Sequence, residues 1–378
     1  MREKVKSIVL VGQTPPPHHG QAVATRILME HQWEGIDCKK IPIRYSTDLQ
    51  SVGKFKLSKF RELGRVIKAT LRAAHQMEDP VLYYLPASPA WVPIFRDMLY
   101  LMAVRWAFSG TVYHYHAAGL PEFLDSKGLL GSIIKKGYGK PLVAVEIADS
   151  GKSEAEFFEA SRRLVVKNGL DIEGEPRCKP FEPKGGDEFA GLFLGTLCRE
   201  KGVFDVLETL FLLVSRGLVV RVNFAGKWAS VEEEKQFKKR VSELGIEKHV
   251  SLLGGRYGEE KWEEIRKADF FFFPSQFRFE NFPLVLLEAL GMGIPVVSTN
   301  WRGIPEIIQH EKTGLLCEIG DHKAFADAIE RLSSEAELWQ SIHQQQLLSY
   351  QKYYTEEKFC KSMKGAFDIA FEELSYQK

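Results

Sequence analysis

FFFFPSQFRFENFPLVLLEALGMGIPVVSTNWRGIPEII, residues 270–308, decides how this chain folds. The run DFFFFPS is short and apolar throughout, as a strand buried on both faces of a parallel sheet must be. It ends in a loop, and Pro283 then falls where the first turn of a helix tolerates proline. The helix PLVLLEALG stops at Gly291 or Gly293, and IPVVST follows as the next strand. The free N–H groups of such a helix face the carboxyl end of the sheet, where open α/β sheets bind ligands and where phosphate is welcome.

Outward from this unit the rhythm repeats. FAGLFLG, VRVNFAG and VSLLGG precede it and TGLLC follows, each separated by a helical segment. In the first half VKSIVLVG, PVLYYL, TVYHYH, PLVAVEI and LVVKN alternate with helical patterns such as GQAVATRILMEHQ. Between the two series, Gly169 to Asp187 is rich in glycine, proline and charge, which marks a linker. The expectation is an α/β chain of two Rossmann-like, doubly wound domains over residues 1–165 and 166–350, with a C-terminal helix over 351–378.

Composition bounds the class. The chain has 378 residues, 44% hydrophobic and 27% charged, which excludes small disulfide-stapled, fibrous and disordered classes. Five cysteines lie far apart with no C-x-x-C pair, so neither a disulfide framework nor a zinc knuckle is indicated and a reducing compartment fits. MREKVKSIVLVG has too short an apolar run for a signal peptide and reads as a first strand. WVPIFRDMLYLMAVRWAF, residues 91–108, carries Arg96, Asp97 and Arg105, and reads as a buried crossover helix in preference to a membrane span.

The charge is uneven. Residues 1–165 hold 23 basic and 16 acidic side chains, a net +7, against 28 and 34 in the remainder, a net −6. An anionic partner is therefore expected for the first half, a membrane surface or a phosphorylated molecule; no recognition motif accompanies the charge, so nucleic acid is not expected.

Two acids and a lysine stand out. Glu288 lies among Leu284, Val285, Leu286, Leu287, Ala289 and Leu290, so its carboxylate is desolvated unless something bonds to it; the paired hydroxyls of a ribose would. Glu280, eight residues earlier, is about two helical turns away, and the two can flank one elongated ligand. In FLGTLCREKGVFDVLETL, residues 193–210, a strand ends at Gly195 and Lys201-Gly202 opens a helix, which places a cation beside helix amides as a diphosphate requires. Solvent-facing acids and a solvated loop lysine are the plain alternatives.

The run ENFPLVLLEALGMGIPVVST resembles the two-glutamate signature of glycosyltransferase family 4, retaining enzymes of the GT-B fold. VVKNGLD (165–171), FLGTLCREKG, VNFAGK (222–227), VSLLGGRY (250–257), RGIPEII and TGLL agree with that family in order and spacing, and the likeness is dense from about 165 to 320. It implies two domains facing a central cleft, with the C-terminal helix packed back on the N-terminal one.

The resemblance also implies site roles. Glu288 would hold the ribose, Glu280 would touch the donor sugar, and the amides of Asn281, Phe282, Leu284 and Val285 would receive sugar hydroxyls and phosphate. Lys201 would neutralise the diphosphate, and the backbone near Arg256 and Tyr257 would cradle the base. Thr196 stands where relatives often carry an arginine, and Arg199 is the candidate to replace that charge.

VGQTPPPHHGQA (11–22) spaces Gly12 and Gly20 eight apart, so it is no dinucleotide fingerprint. By resemblance Gly20 and Gln21 are candidates to touch donor phosphate or acceptor; His18 and His19 read as solvated loop residues. In TVYHYHAAG both histidines share a strand face, and His116 resembles the histidine relatives present to the donor sugar. The catalytic candidates are therefore Glu280, His116 and Lys201. No D-x-D occurs, and neither a metal nor another cofactor is expected.

The likeness implies transfer of a hexose-type sugar, with retention, from a nucleoside-diphosphate sugar such as a UDP-sugar to a glycan or lipid-linked acceptor. A nucleotide-sugar epimerase or phosphorylase of the same fold, and a non-catalytic nucleotide-sugar-binding scaffold, are the alternatives. Residues 54–76 form a helix with Phe60, Leu63, Ile67, Leu71 and Ala74 on one face and Arg61, Arg65, Lys68 and Arg72 on another, suited to an anionic membrane. The expected location is cytoplasmic, against the inner face of the membrane.

Overall fold

The structure, a computed structural model, describes residues 5–16, 20–43, 57–149, 152–176 and 188–376, with 57–59 in backbone only. The chain divides into two compact units, one of residues 1–169 with 356–378 and the other of residues 170–355. Most of the expected linker, and with it Cys178, lies outside the described residues, as do His18 and His19.

The first unit is a six-stranded parallel sheet of β1 (Lys6–Gln13), β2 (Ile36–Ile43), β3 (Val81–Tyr84), β4 (Gly110–Tyr115), β5 (Val143–Glu146) and β6 (Arg162–Val165). Their spatial order is β2-β1-β3-β4-β5-β6, so the winding reverses between β1 and β3. Strands β1, β3, β4 and β5 are buried almost throughout, the continuous apolar reading expected when both faces are covered.

Helices α2 (Leu57–His75), α3 (Trp91–Val104) and α5 (Gly128–Tyr138) close one core with Tyr84, Tyr113 and Tyr115 of the sheet. The alternate residues Tyr83 and His114 meet Phe367 and Phe359 of the C-terminal helix α14 (Glu356–Tyr376). That helix packs on β4, β5 and α1 (Gly20–Glu30), and Lys6 and Arg162 fasten it through Asp368 and Glu373 at 2.7 and 2.6 Å.

Two expectations for this unit are corrected. The 91–108 segment is not buried: α3 turns Ile94, Asp97, Met98, Tyr100 and Leu101 inward and leaves Trp91, Val92, Phe95, Leu99 and Met102 exposed. Its charges are accounted for, since buried Asp97 bonds Arg96, the Tyr84 hydroxyl and the amide of Ala87. In α2, Phe60 is exposed, and the buried stripe runs Leu63, Val66, Thr70, Ala73, Ala74. Arg61, Lys68 and Arg72 are exposed as expected, while Arg65 pairs with Glu62.

The second unit contains β7 (Phe189–Leu194), β8 (Val220–Ala225), β9 (Val250–Gly254), β10 (Phe270–Phe273), β11 (Val296–Thr299) and β12 (Gly314–Cys317). They form a parallel sheet in the order β12-β11-β10-β7-β8-β9. Counted within the unit this is 6-5-4-1-2-3, the doubly wound order, and its winding reverses between β7 and β10. Aromatic contacts across neighbouring strands add to the parallel ladders: Phe189 stacks on Phe270 at 4.9 Å, and Phe193 lies beside Phe224 and Phe273.

Candidate active site

The reversal in the second sheet places two loops side by side at the strands' carboxyl ends. The loop after β7 runs through Arg199–Lys201 into α7 (Val203–Ser215), and the loop after β10 runs through Ser275 and Glu280 into α10 (Leu284–Met292). Gly202, at φ 85°, lets them meet: a Cβ there would lie 2.1 Å from the carbonyl oxygen of Pro274. Between them Lys201 Nζ donates to Glu280 Oε2 at 2.5 Å, and the same oxygen accepts from Ser275 Oγ at 2.8 Å. Glu280 is 6% exposed, so its charge is held by these partners.

The α10 N-terminus adjoins this pair. Pro283 is its N-cap, with no side chain capping the first turn, so that turn keeps N–H groups for an acceptor from outside the helix. Asn281 and Phe282 are buried just before it, Leu284 is buried and Val285 half-buried within it. Asn281 Oδ1 finds no hydrogen-bond partner among the described residues.

One turn further, Glu288 is half-buried with its Oε1 accepting from Lys261 Nζ at 2.9 Å. Lys261 belongs to α9 (Glu259–Lys267) and lies over the Trp262 ring at 4.0 Å. This cation was not evident in the sequence and neutralises part of the charge that a buried glutamate would otherwise expose. Glu288 Oε2 is buried and unpartnered among the described residues. A carboxylate paired at one oxygen and unpartnered at the other keeps acceptor capacity for a hydroxyl.

Two other candidates flank the unit's other loops. Tyr257 is about half exposed, its ring 5.7 Å from Lys227 Nζ, and Arg256 lies 3.8 Å from Glu260. Arg199 goes elsewhere than expected. Its guanidinium stacks over Phe204 at 3.9 Å, and both line a cavity of about 400 Å³ with Asp205, Gln276 and His322, while its amide donates to Glu233. The structure thus brings Lys201, Glu280 and Ser275 together and turns the Arg199 side chain toward α7.

In the first unit, Gly20 opens α1 and the Gln21 amide donates weakly, at 3.5 Å, to the carbonyls of Leu85 and Pro86, which tie the loop after β3 to the β1–α1 turn. His116 follows β4 and is half-buried, its ring 4.2 Å from that of His114. His114 is the core histidine. It is fully buried, shares a 2.7 Å hydrogen bond with the Tyr83 hydroxyl, and is held well below the ordinary imidazole range by burial and then by His116.

These features find counterparts among known proteins. Residues 176–346 match the family described as Glycosyl transferases group 1. The amylovoran biosynthesis glycosyltransferase AmsK of Erwinia amylovora is 32% identical over 38% of this chain and 35% of its own. A D-inositol 3-phosphate glycosyltransferase of Corynebacterium urealyticum is 35% identical over 67% of this chain. The chain covers 62% of that relative's length, so it spans less than two thirds of either one. A crystal structure of Anabaena Alr3699/HepE in complex with UDP and glucose has a TM-score of 0.66 at 15% identity, over 96% of this chain and 99% of that one. That likeness is one of fold, two parallel-sheet Rossmann-like domains of the GT-B type.

Proposed function

We propose that this chain is a retaining glycosyltransferase that moves a hexose-type sugar from a nucleoside-diphosphate donor to a glycan or lipid-linked acceptor in polysaccharide or glycolipid synthesis. The observation that carries the reading is the joining of Lys201 to Glu280 at the point where the second sheet reverses its winding, beside the uncapped α10 N-terminus. Names of the relatives point the same way, AmsK to amylovoran biosynthesis and HepE to UDP and glucose.

In this reading the donor lies along the carboxyl edge of the second sheet. Its ribose hydroxyl donates to Glu288 Oε2, the atom that Lys261 leaves unpartnered. Its diphosphate meets Lys201 and the first-turn amides of α10, and the segment near Arg256 and Tyr257 borders the base. Glu280, with Ser275 behind it, fixes Lys201 and faces the sugar near the anomeric carbon.

The acceptor hydroxyl oxygen attacks the anomeric carbon from the side on which the diphosphate departs, and the bond from that carbon to the phosphate oxygen breaks. The electron pair leaves with the diphosphate, whose oxygen takes the acceptor's proton. Negative charge grows on the leaving group, so Lys201 and the oriented amides contribute most to the rate. His116 and Gly20-Gln21 of the first unit are assigned to the sugar and acceptor side. The basic face of α2 is assigned to an anionic cytoplasmic leaflet that presents a lipid-linked acceptor.

Thermal unfolding with a panel of UDP-, GDP- and ADP-sugars tests the reading. One nucleotide class should raise the midpoint with a logarithmic dependence on concentration, and turnover of that donor should release the free diphosphate. Binding without turnover on any acceptor would favour the scaffold; donor-only epimerisation or phosphorolysis would favour the other enzymes of this fold.

A further inference from the structure

Every exposed residue of α3 is apolar: Trp91, Val92, Phe95, Leu99 and Met102. Trp106, 69% exposed in the 3-10 turn Arg105–Ala107, continues the row. At 100° per residue the five side chains on α3 occupy one arc of about 100°. α5 adds Leu129, Leu130 and Ile133, with Leu129 80% exposed. The two helices touch where a Cβ on Gly137 would lie 2.5 Å from Met98 Cγ and 3.6 Å from Met102 Sδ, so their outward rows form one surface. Trp91 extends it to Phe123 of α4 (Leu120–Asp125), with ring centroids 5.3 Å apart.

Basic side chains rim this surface. Lys127 Nζ lies 5.5 Å from the Trp91 ring, and Lys136 is exposed one turn beyond Ile133. On the far side α2 packs on α3, the His75 ring lies 6.3 Å from that of Trp106, and Arg61, Lys68 and Arg72 are exposed at a spacing that shares one helix face. No described carboxylate pairs with Lys127, Lys136, Arg61, Lys68 or Arg72.

We infer that the α3–α5 face is a membrane-docking surface, inserted at the interface of a bilayer containing anionic lipid. An apolar row between cations that no described carboxylate neutralises matches an acyl boundary beneath anionic headgroups, and tryptophans at both ends of α3 suit the headgroup level. Among the described residues no helix is long and apolar enough to cross a membrane, so α3 lies along the interface. A second copy of the chain is the poorer occupant, because a two-fold contact would set one basic rim against another. This deepens the proposed lipid-linked acceptor and rests on that reading only for its purpose. It moves the principal contact from the basic helix α2 to α3 and α5, with α2 as the electrostatic rim.

The test is flotation of the full chain with phosphatidylcholine vesicles, alone and mixed with phosphatidylglycerol, at low and high salt. No donor or acceptor is present, so failure here leaves the transfer reading standing, and loss of transfer leaves this one standing. The wild type should float with mixed vesicles, less at high salt but not abolished. The triple change Phe95→Ser, Met102→Ser, Leu129→Ser, all outward-facing, should lower vesicle partition by at least about tenfold with an unchanged unfolding midpoint. Lys68→Gln with Arg72→Gln and Lys136→Gln should remove the preference for phosphatidylglycerol alone. Wild type that floats with neither vesicle, or a serine variant that floats like wild type, overturns the inference. So does a concentration-dependent dimer abolished by the serine changes in a chain that ignores vesicles.

Discussion

Lys201 Nζ and Glu280 Oε2 lie 2.5 Å apart although 79 residues separate them in the chain, and β7 and β10 are the neighbouring strands that bring them together. Glu280 is nearly buried and Lys201 half-buried, so each is the other's compensation for lost water.

Removing the cation leaves a buried carboxylate. Lys201→Ala should lower stability by about 3 kcal/mol, read in denaturant unfolding, and weaken binding of the donor's diphosphate. Lys201→Arg should restore part of the stability. An alanine variant as stable as wild type would show that Glu280 is not held by this pair.

Glu280→Gln should keep the fold at some cost in stability, since Ser275 can still donate to the amide oxygen while half-buried Lys201 loses its counter-charge. In the proposed enzyme it should cut turnover about 100-fold or more with a much smaller effect on donor binding. An active parent that loses nothing on this change removes Glu280 from catalysis.

Glu288 offers a chemical cross-check. Its Oε2 should contribute about 1.5–3 kcal/mol to a charged hydrogen bond with a ribose hydroxyl. Glu288→Gln and a donor lacking that hydroxyl should each weaken binding, and the combination should cost little more than either alone. Additive losses would place the ribose elsewhere.

A buried acid in the first unit sets a pH dependence of stability. Glu154 is raised from an ordinary 4.5 to about 8 by burial first and by Glu146 next. The folded chain therefore keeps a proton there that the unfolded chain releases. Stability from this group is fully present below about 4.5, falls as pH rises toward about 8, and is level above. The slope is on the order of 1.4 kcal/mol per pH unit inside that window. Glu154→Gln should flatten it in unfolding curves taken from pH 5 to 9; an unchanged slope would contradict the assignment.

Gly202 is where the two loops come into backbone contact. Gly202→Ala places a methyl against the Pro274 carbonyl at a φ that suits glycine, and should cost about 1–3 kcal/mol while disturbing the Lys201–Glu280 pair. The midpoint of unfolding reads the first effect and donor affinity the second.

The parts legible in sequence are those with a local signal. FFFFPS and IPVVST read as buried strands because parallel strands have no polar face, and Gly293 ends α10 at φ 70° as a helix-stopping glycine does. The edge strand β2 did not read: IDCKKIPI exposes Lys40 and carries Pro42, which is compatible only with a sheet edge. The outward face of α3 was hidden because apolar residues on all sides look like a core helix until neighbours are counted around it. In the site, Glu280, Glu288 and Lys201 stood out by type and spacing. Lys261 and Ser275 did not, since their roles depend on α9 and on the turn after β10, which only packing reveals. For Arg199 proximity in sequence was misleading, as the short turn before Gly202 aims it at Phe204 and Lys201 at Glu280.

The most direct measurement is a crystal structure of the chain grown with a nucleoside diphosphate, with UDP, GDP and ADP each tried. Phosphate density is predicted beside Lys201 and the α10 N-terminus, with a ribose hydroxyl within hydrogen-bond reach of Glu288 Oε2. A well-ordered nucleotide bound away from both glutamates would contradict the proposed donor site.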